Sequence, residues 1–329
     1  MSQDVRPAPE RVLVFGASGH VGAPLAEAIA GSQGAPALRL ATSSSDKAVE
    51  LKAKFPMAEV VQADYADLRS LITAFDGVDA AFVITPDFKI DERQAMINVS
   101  AAAYSAGALP HLVKLTGVTI GINHVNELRP ALREFPGSSL QYQQARAVLN
   151  ASGLPVSFLN SFAYFMDDLL TVWLLPLLNR RVLSCPYERS TTFVDTRDLG
   201  EAAARLLLQP HDREHDGYMH HVTGTERITF SEVARLLTEV LGVDIAYEDD
   251  PQAFSRDVEG VVNAHFGPGA TEYFLAFCAN EQKEEPLFIV TDGLRHLLGR
   301  EPRTLREWIE EHKHIFLAEG SPLRQSVNA

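Results

Sequence analysis

Residues 11–22 read Arg11-Val12-Leu13-Val14-Phe15-Gly16-Ala17-Ser18-Gly19-His20-Val21-Gly22, an apolar run that ends in a glycine turn and passes at once into a helical pattern reaching Ala30. Strand, sharp turn and helix in this order open a parallel α/β sheet. Gly16 lets the chain turn. Gly19 has no Cβ, so a pyrophosphate can come close to the backbone. Gly22 lets the helix lie tight against the strand. The N–H groups around Ser18, His20 and Val21, at the positive end of the helix dipole, then face the phosphates. The spacing is G-x-x-G-x-x-G, not the commoner G-x-G-x-x-G. Its place directly after an N-terminal strand gives the triplet its meaning.

Strand-like runs recur at 11–15, 37–42, 58–61, 79–84, 111–116 and 155–160, with helical runs at 20–31, 46–54, 67–75, 91–106 and 139–151. This alternation predicts an α/β chain with a doubly wound parallel sheet and helices on both faces. Beyond 160 the pattern loosens. A helix-like stretch covers 164–179, a strand-like one Arg181–Leu183, and Thr192–Asp198 leads into a helix ending at Leu208. Tyr218–Val222 reads as a strand and Ile228–Leu241 as a helix that Thr229 or Ser231 can cap. Arg303–Phe316 reads as a last amphipathic helix and Gly320–Ala329 as a frayed tail. The expected division is a dinucleotide-binding domain over 1–160, with returns near 190–208 and 217–224, and a smaller, mixed α/β substrate domain over 161–329. At 329 residues, 46% of them hydrophobic, the chain can bury both.

A formal net charge of −14 repels phosphate backbones, so nucleic acid is not an expected partner. The two cysteines, Cys185 and Cys278, form no C-x-x-C and fit a reducing cytoplasm. Met1–Glu10 is polar and holds two prolines, unlike a signal peptide. The most apolar stretch, Phe158–Leu178, is broken by Asp167, Asp168 and Pro176, so no membrane span is expected.

The second strand ends at Thr42-Ser43-Ser44-Ser45-Asp46-Lys47. An acid here would grip the adenosine ribose, and a base would accommodate a 2′-phosphate. Ser43 and Ser44 with Lys47 favour NADP(H), with NAD(H) left open. Asp64, before Tyr65 at the end of the third strand, can bond the adenine amino group or cap the helix near Ala66. Thr85 and Pro86 end the fourth strand, where the backbone would flank the nicotinamide ribose.

Together these residues resemble the NmrA-like family of atypical short-chain dehydrogenase/reductases. The matching segments are Val12–Gly22, Arg39–Ala48, Val60–Pro86, His111–Thr116, Ser152–Leu169, Phe193–Pro210, His221–Tyr247 and Gly299–Phe316. Gln62–Leu71 and Phe165-Met166-Asp167-Asp168-Leu169 are the most specific. The resemblance implies a Rossmann domain that binds NAD(P) and a smaller C-terminal domain, with a substrate or regulator pocket between them. It also implies that Asp198 orders backbone. The family often carries arginine where this chain has Ser43 and Asn160.

Reduction of a carbonyl, quinone or imine needs a hydride donor and a proton source. Tyr142-Gln143-Gln144-Ala145-Arg146 looks like a reductase Tyr/Lys pair with arginine for lysine, and arginine cannot relay a proton. Counted back from Ser152-Gly153-Leu154-Pro155, Tyr142 falls where related reductases place the lysine, and Ser138 where they place the tyrosine. Tyr142 is therefore a candidate proton donor without its usual partner. Thr116 can hold a substrate oxygen. Lys114 points to the same side of the strand, or else snorkels at a sheet edge. Phe162, Tyr164, Phe165 and Met166 are candidate substrate-pocket residues. Phe266, Tyr273, Phe274 and Phe277 lie in a less regular stretch that adds aromatic wall or plain core. The His211/His215 pair lies in a loop and His220-His221 in a strand, so no metal site is expected. No G-x-S-x-G elbow supports hydrolysis.

The leading expectation is an NADPH-dependent reductase of a small, largely apolar compound. Its rivals are a non-catalytic NAD(P) sensor with a protein partner and an isomerase or epimerase with a tightly held cofactor. A homodimer through the sheet-flanking helices is also open.

Overall fold

The computed structural model describes residues 7–107, 109–134, 137–208, 217–283 and 288–317. The first half runs β1 (Arg11–Phe15), α1 (Gly22–Ala30), β2 (Ala37–Thr42), α2 (Ser45–Lys54), β3 (Glu59–Gln62), α3 (Leu68–Phe75), β4 (Ala80–Val83), α4 (Glu92–Ser105), β5 (His111–Thr116), α5 (Pro130–Glu134), α6 (Ser138–Ser152) and β6 (Val156–Ser161). Then follow β7 (Tyr164–Phe165), α7 (Asp168–Thr171), α8 (Leu174–Arg180), β8 (Val182–Ser184), β9 (Ser190–Thr191), β10 (Phe193–Val194), α9 (Thr196–Leu208) and β11 (Met219–Val222). The chain closes with β12 (Ile228–Thr229), α10 (Phe230–Leu241), β13 (Ala246–Glu248), α11 (Pro251–Phe266), α12 (Ala270–Lys283), α13 (Gly293–Leu298) and α14 (Leu305–Phe316).

Seven strands form one parallel sheet in the order β11-β6-β5-β4-β1-β2-β3. The order reverses between β1 and β4, the switch point at which ligands of doubly wound sheets bind. Because neighbours along a strand face opposite ways, Val12 and Val14 pack into one core and Leu13 and Phe15 into the other. Both sheet faces are thus covered, as a parallel sheet requires. Arg39, buried in β2, is satisfied by Glu59 at 2.8 Å and by the carbonyls of Ala74 and Asp76.

A third core holds Trp173, Phe193, Phe230, Leu237 and Trp308, built from the elements after β6. Asp198, fully buried in α9, accepts bonds from Arg300 and Arg303, so it anchors the approach to α14 rather than facing any ligand. Thr229 and Thr304 start α10 and α14 with reciprocal capping boxes.

Two sequence expectations need correction. The helix expected over 164–179 is interrupted: Tyr164 and Met166 donate to Thr192 and Val194, which draws 164–165 into a short parallel pair with β10 before two short helices form. The stretch bearing Phe266 to Phe277 is regular, being the end of α11 and most of α12. Residues 211–215 and 320–329, noted above for the histidine pair and the tail, lie outside the described residues. No helix among the described residues is long and apolar enough to cross a membrane.

Candidate active site

At the carboxyl ends of β1, β4, β5 and β6 a cavity of about 580 Å³ opens, roofed by α11 and α12. Its cofactor side begins with the β1–α1 turn. Gly16 has φ +68°, and a Cβ there would press on Ile84 at 2.5 Å. A Cβ on Gly22 would lie 2.1 Å from the Gly16 carbonyl oxygen, so the helix can start this close to the turn only with glycine. Ser18, Gly19, His20 and Val21 line the cavity. No side chain caps α1 and its first turn holds no acid, so its N-terminus is left for an anion. Lys47 lines the cavity from α2. These residues fit a phosphorylated dinucleotide. His20 lies 3.5 Å from Asp167, and that hydrogen bond, with the carboxylate's charge, raises the imidazole above its ordinary value. Removal from water, and then the charges of Lys89 and His20, lower His265.

Other expected cofactor contacts are placed differently. Ser43 is exposed and Ser44 caps α2, its Oγ accepting the Lys47 N–H at 3.3 Å. Asp64 accepts the Ala66 N–H in a local turn, while Asp67 caps α3. Tyr65 stacks on Phe15 and donates to the Ile84 carbonyl. Thr85 turns into the sheet, where it accepts from Lys114 at 2.9 Å. All five stand outside the cavity wall, whereas Pro86 and Ile84 form part of it. Met166, expected in the substrate pocket, is buried in the third core directly after β7, where it packs with residues such as Trp173 and Phe193, while Phe165 lines the cavity. Phe162 and Tyr164 line it as expected.

Tyr142, from α6, faces the cavity, and its partner is not Arg146. Its hydroxyl donates to Asp87 Oδ1 at 2.8 Å. Asp87 follows Pro86 on the loop after β4, one residue beyond the Thr85-Pro86 segment marked for its backbone. Removal from water, then the negative charge of Glu92, raise Asp87 from 3.8 to about 6, although the Tyr142 bond and Lys114 oppose this. Burial, then the charges of Asp87 and Glu92, push Tyr142 well above its ordinary value.

Lys114 neither snorkels nor reaches the cavity. It is buried in a central strand, bonded to Thr85 and 3.4 Å from Glu92, with Nζ 5.7 Å from the centre of the Tyr142 ring. Thr116 and Ser161 end β5 and β6 on the cavity wall, and neither hydroxyl has a hydrogen-bond partner among the described residues. Asn160, where family members often carry arginine, clamps Val118 through both its backbone groups and meets His221 Nδ1 at 2.9 Å.

The opposite wall is aromatic. Phe88, at φ +62°, packs its ring against Phe266 and Tyr273 at 5.8 and 5.1 Å. Left-handed backbone is costly for such a residue, and here the ring contacts hold it. Phe162 stacks on Phe288 at 4.4 Å. Tyr273 bonds Ser138 and Ser139, tying α12 to the start of α6, and a Cβ on Gly137 would enter its ring. Asp168 accepts the Phe165 N–H and is raised from 3.8 to about 7 by removal from water. The sequence pattern gives no site role to Asp87, Ser161 or Asp168, since each needs the cavity around it to become distinctive.

The model of the NmrA-like family matches residues 8–309. The chain belongs to the NmrA-like family. A (4-alkanoyl-5-oxo-2,5-dihydrofuran-3-yl)methyl phosphate reductase of Streptomyces griseus is 30% identical over 94% of this NmrA-like chain and 100% of its own length. An NAD(P)H azoreductase of Xenophilus azovorans is 26% identical over 93% and 99%. Among solved structures, an NADPH-dependent quinone oxidoreductase of Escherichia coli, complexed with NADPH, superposes with a TM-score of 0.74. It covers 91% of this chain and 99% of its own, at 20% identity.

Proposed function

We propose that this NmrA-like protein is an NADPH-dependent oxidoreductase that reduces a carbonyl, quinone or imine group of a small, largely apolar compound. The observation that carries the reading is the Tyr142–Asp87 hydrogen bond, set in one cavity with the glycine turn and Lys47. Full-length similarity to two reductases supports it. In this reading residues 1–160, with the returns near 190–208 and 217–224, bind the dinucleotide, and 161–329 supply the substrate wall.

When bound, NADPH supplies the hydride. Ser18 to Val21 and the start of α1 hold its phosphates, and Lys47 the 2′-phosphate. The aromatic wall keeps water from the substrate and favours a flat one. Thr116 and Ser161, with hydroxyls to spare, hold polar atoms of substrate or carboxamide. Tyr142 gives its proton to the developing anion. With Asp87 protonated, the bond between them runs from the carboxyl to the Tyr142 oxygen, so Asp87 restores the proton as Tyr142 releases it. Lys114 and Glu92 stand behind this pair as positioning residues.

The test is NADPH oxidation with 1,4-naphthoquinone, an aryl ketone and an aryl imine as acceptors. Tyr142→Phe should lower kcat roughly a hundredfold, with NADPH affinity by calorimetry unchanged and NADPH preferred to NADH. Full turnover in that variant would remove Tyr142 from the chemistry. No turnover by the parent protein on any acceptor would return the sensor reading to the front.

A further inference from the structure

The side of the cavity formed by β7, β9 and α12 carries a polar cluster that the reaction does not use. Arg189 is buried there with all its N–H groups engaged. Nε donates to Glu281 at 2.8 Å, Nη1 to the carbonyls of Pro186 and Tyr187, and Nη2 to the Tyr164 hydroxyl and Cys278 Sγ at 2.7 and 3.2 Å. The Tyr164 hydroxyl in turn donates to Glu281 at 2.7 Å. Tyr164, Cys278 and Glu281 line the cavity. Thr191 lines the same cavity, is fully buried, and its Oγ1 has no hydrogen-bond partner among the described residues.

A buried hydroxyl left unpaired is unfavourable, a cost that a ligand group can remove. Arg189 and Glu281 cancel each other's charge, and the guanidinium has no N–H left for an anion. A charged group would be buried here without a counter-ion. A threonine hydroxyl both donates and accepts, and so suits a neutral oxygen of either kind.

We infer that Thr191, on the same cavity wall as Tyr164 and Glu281, forms a second polar subsite that binds an uncharged hydroxyl or carbonyl on a part of the substrate remote from the group being reduced. The inference rests on the reductase reading for the word substrate, but the subsite can be tested by binding alone.

The probes are 1,4-naphthoquinone and 6-hydroxy-1,4-naphthoquinone, at a pH that keeps the hydroxyl un-ionised. Binding is read by quenching of Trp173, which lines the cavity, and turnover by NADPH oxidation. The parent protein should bind the hydroxylated probe more tightly. Thr191→Val keeps the shape and drops the hydroxyl, and should reduce the affinity ratio of hydroxylated to plain probe roughly threefold to tenfold, the worth of one neutral hydrogen bond. Thr191→Ser should keep the parent ratio. A ratio unchanged in Thr191→Val, a preference absent from the parent, or no binding of either probe overturns the subsite. Binding of both with reduction of neither overturns the reductase reading and leaves the subsite to stand or fall on the ratio.

Discussion

In the proposed reaction, Asp87 gives Tyr142 a route to a proton that the sequence did not offer. The groups facing it are Tyr142 on α6, Glu92 on α4 and Lys114 on β5, with Tyr273 and Asp168 near enough to feel its charge. If Asp87 must be protonated to resupply Tyr142, kcat falls as pH rises through about 6. Asp87→Asn cannot resupply the proton. It should cut kcat roughly tenfold to a hundredfold and flatten that limb of the pH profile, with KM little changed. An unchanged profile would make Asp87 a packing residue. Tyr142 was legible as a residue type on a helix at the right distance from β6. Its partner was not, because Asp87 and Tyr142 are 55 positions apart.

The elements read best were those with the strongest period. β1, β2 and β5 run over the residues that their apolar runs marked, and α1 to α4 and α6 fall within one or two residues of theirs. Local patterning suffices there because each element buries one face or both against the sheet. The glycine turn belongs to the same class. Gly22→Ala would set a Cβ against the Gly16 carbonyl, backbone against backbone, with no flexible atom to yield. The variant should lose about 1–3 kcal/mol in denaturant unfolding and bind NADPH at least tenfold more weakly by calorimetry. Retained affinity would show that the start of α1 does not set the cofactor site. The 164–179 stretch failed as a single helix because Tyr164 and Met166 spend their N–H groups on β10 and its flank. That competition is tertiary, and helical periodicity in the stretch itself carries no sign of it.

Across the whole molecule, Asp87 and Asp168 couple the cavity to stability. Their carboxyls rise from 3.8 to about 6 and about 7 on folding. The folded state therefore holds more protons than the unfolded one between about pH 4 and 7. The stability these groups contribute is complete below about 4 and is lost as pH rises through their folded values. Asp168→Asn can still accept the Phe165 N–H, and should melt above the parent protein at pH values over about 7 while the two converge below about 4. A parent advantage at high pH would mean that Asp168 is ionised and stabilising. By itself the sequence determined the parallel α/β sheet, the glycine turn and the family, and it named Lys47, Thr116 and Tyr142, which stand on the cavity wall, because local spacing and residue type set these. Only the tertiary structure decided that Ser43, Ser44, Asp64, Tyr65, Thr85, Lys114 and Met166 stand off the cavity. It alone brought Asp87 to Tyr142, and Arg189 and Glu281 to Thr191. Such pairings join residues far apart in the chain through the crossing of separate elements, and no periodicity within one element records which element will lie opposite.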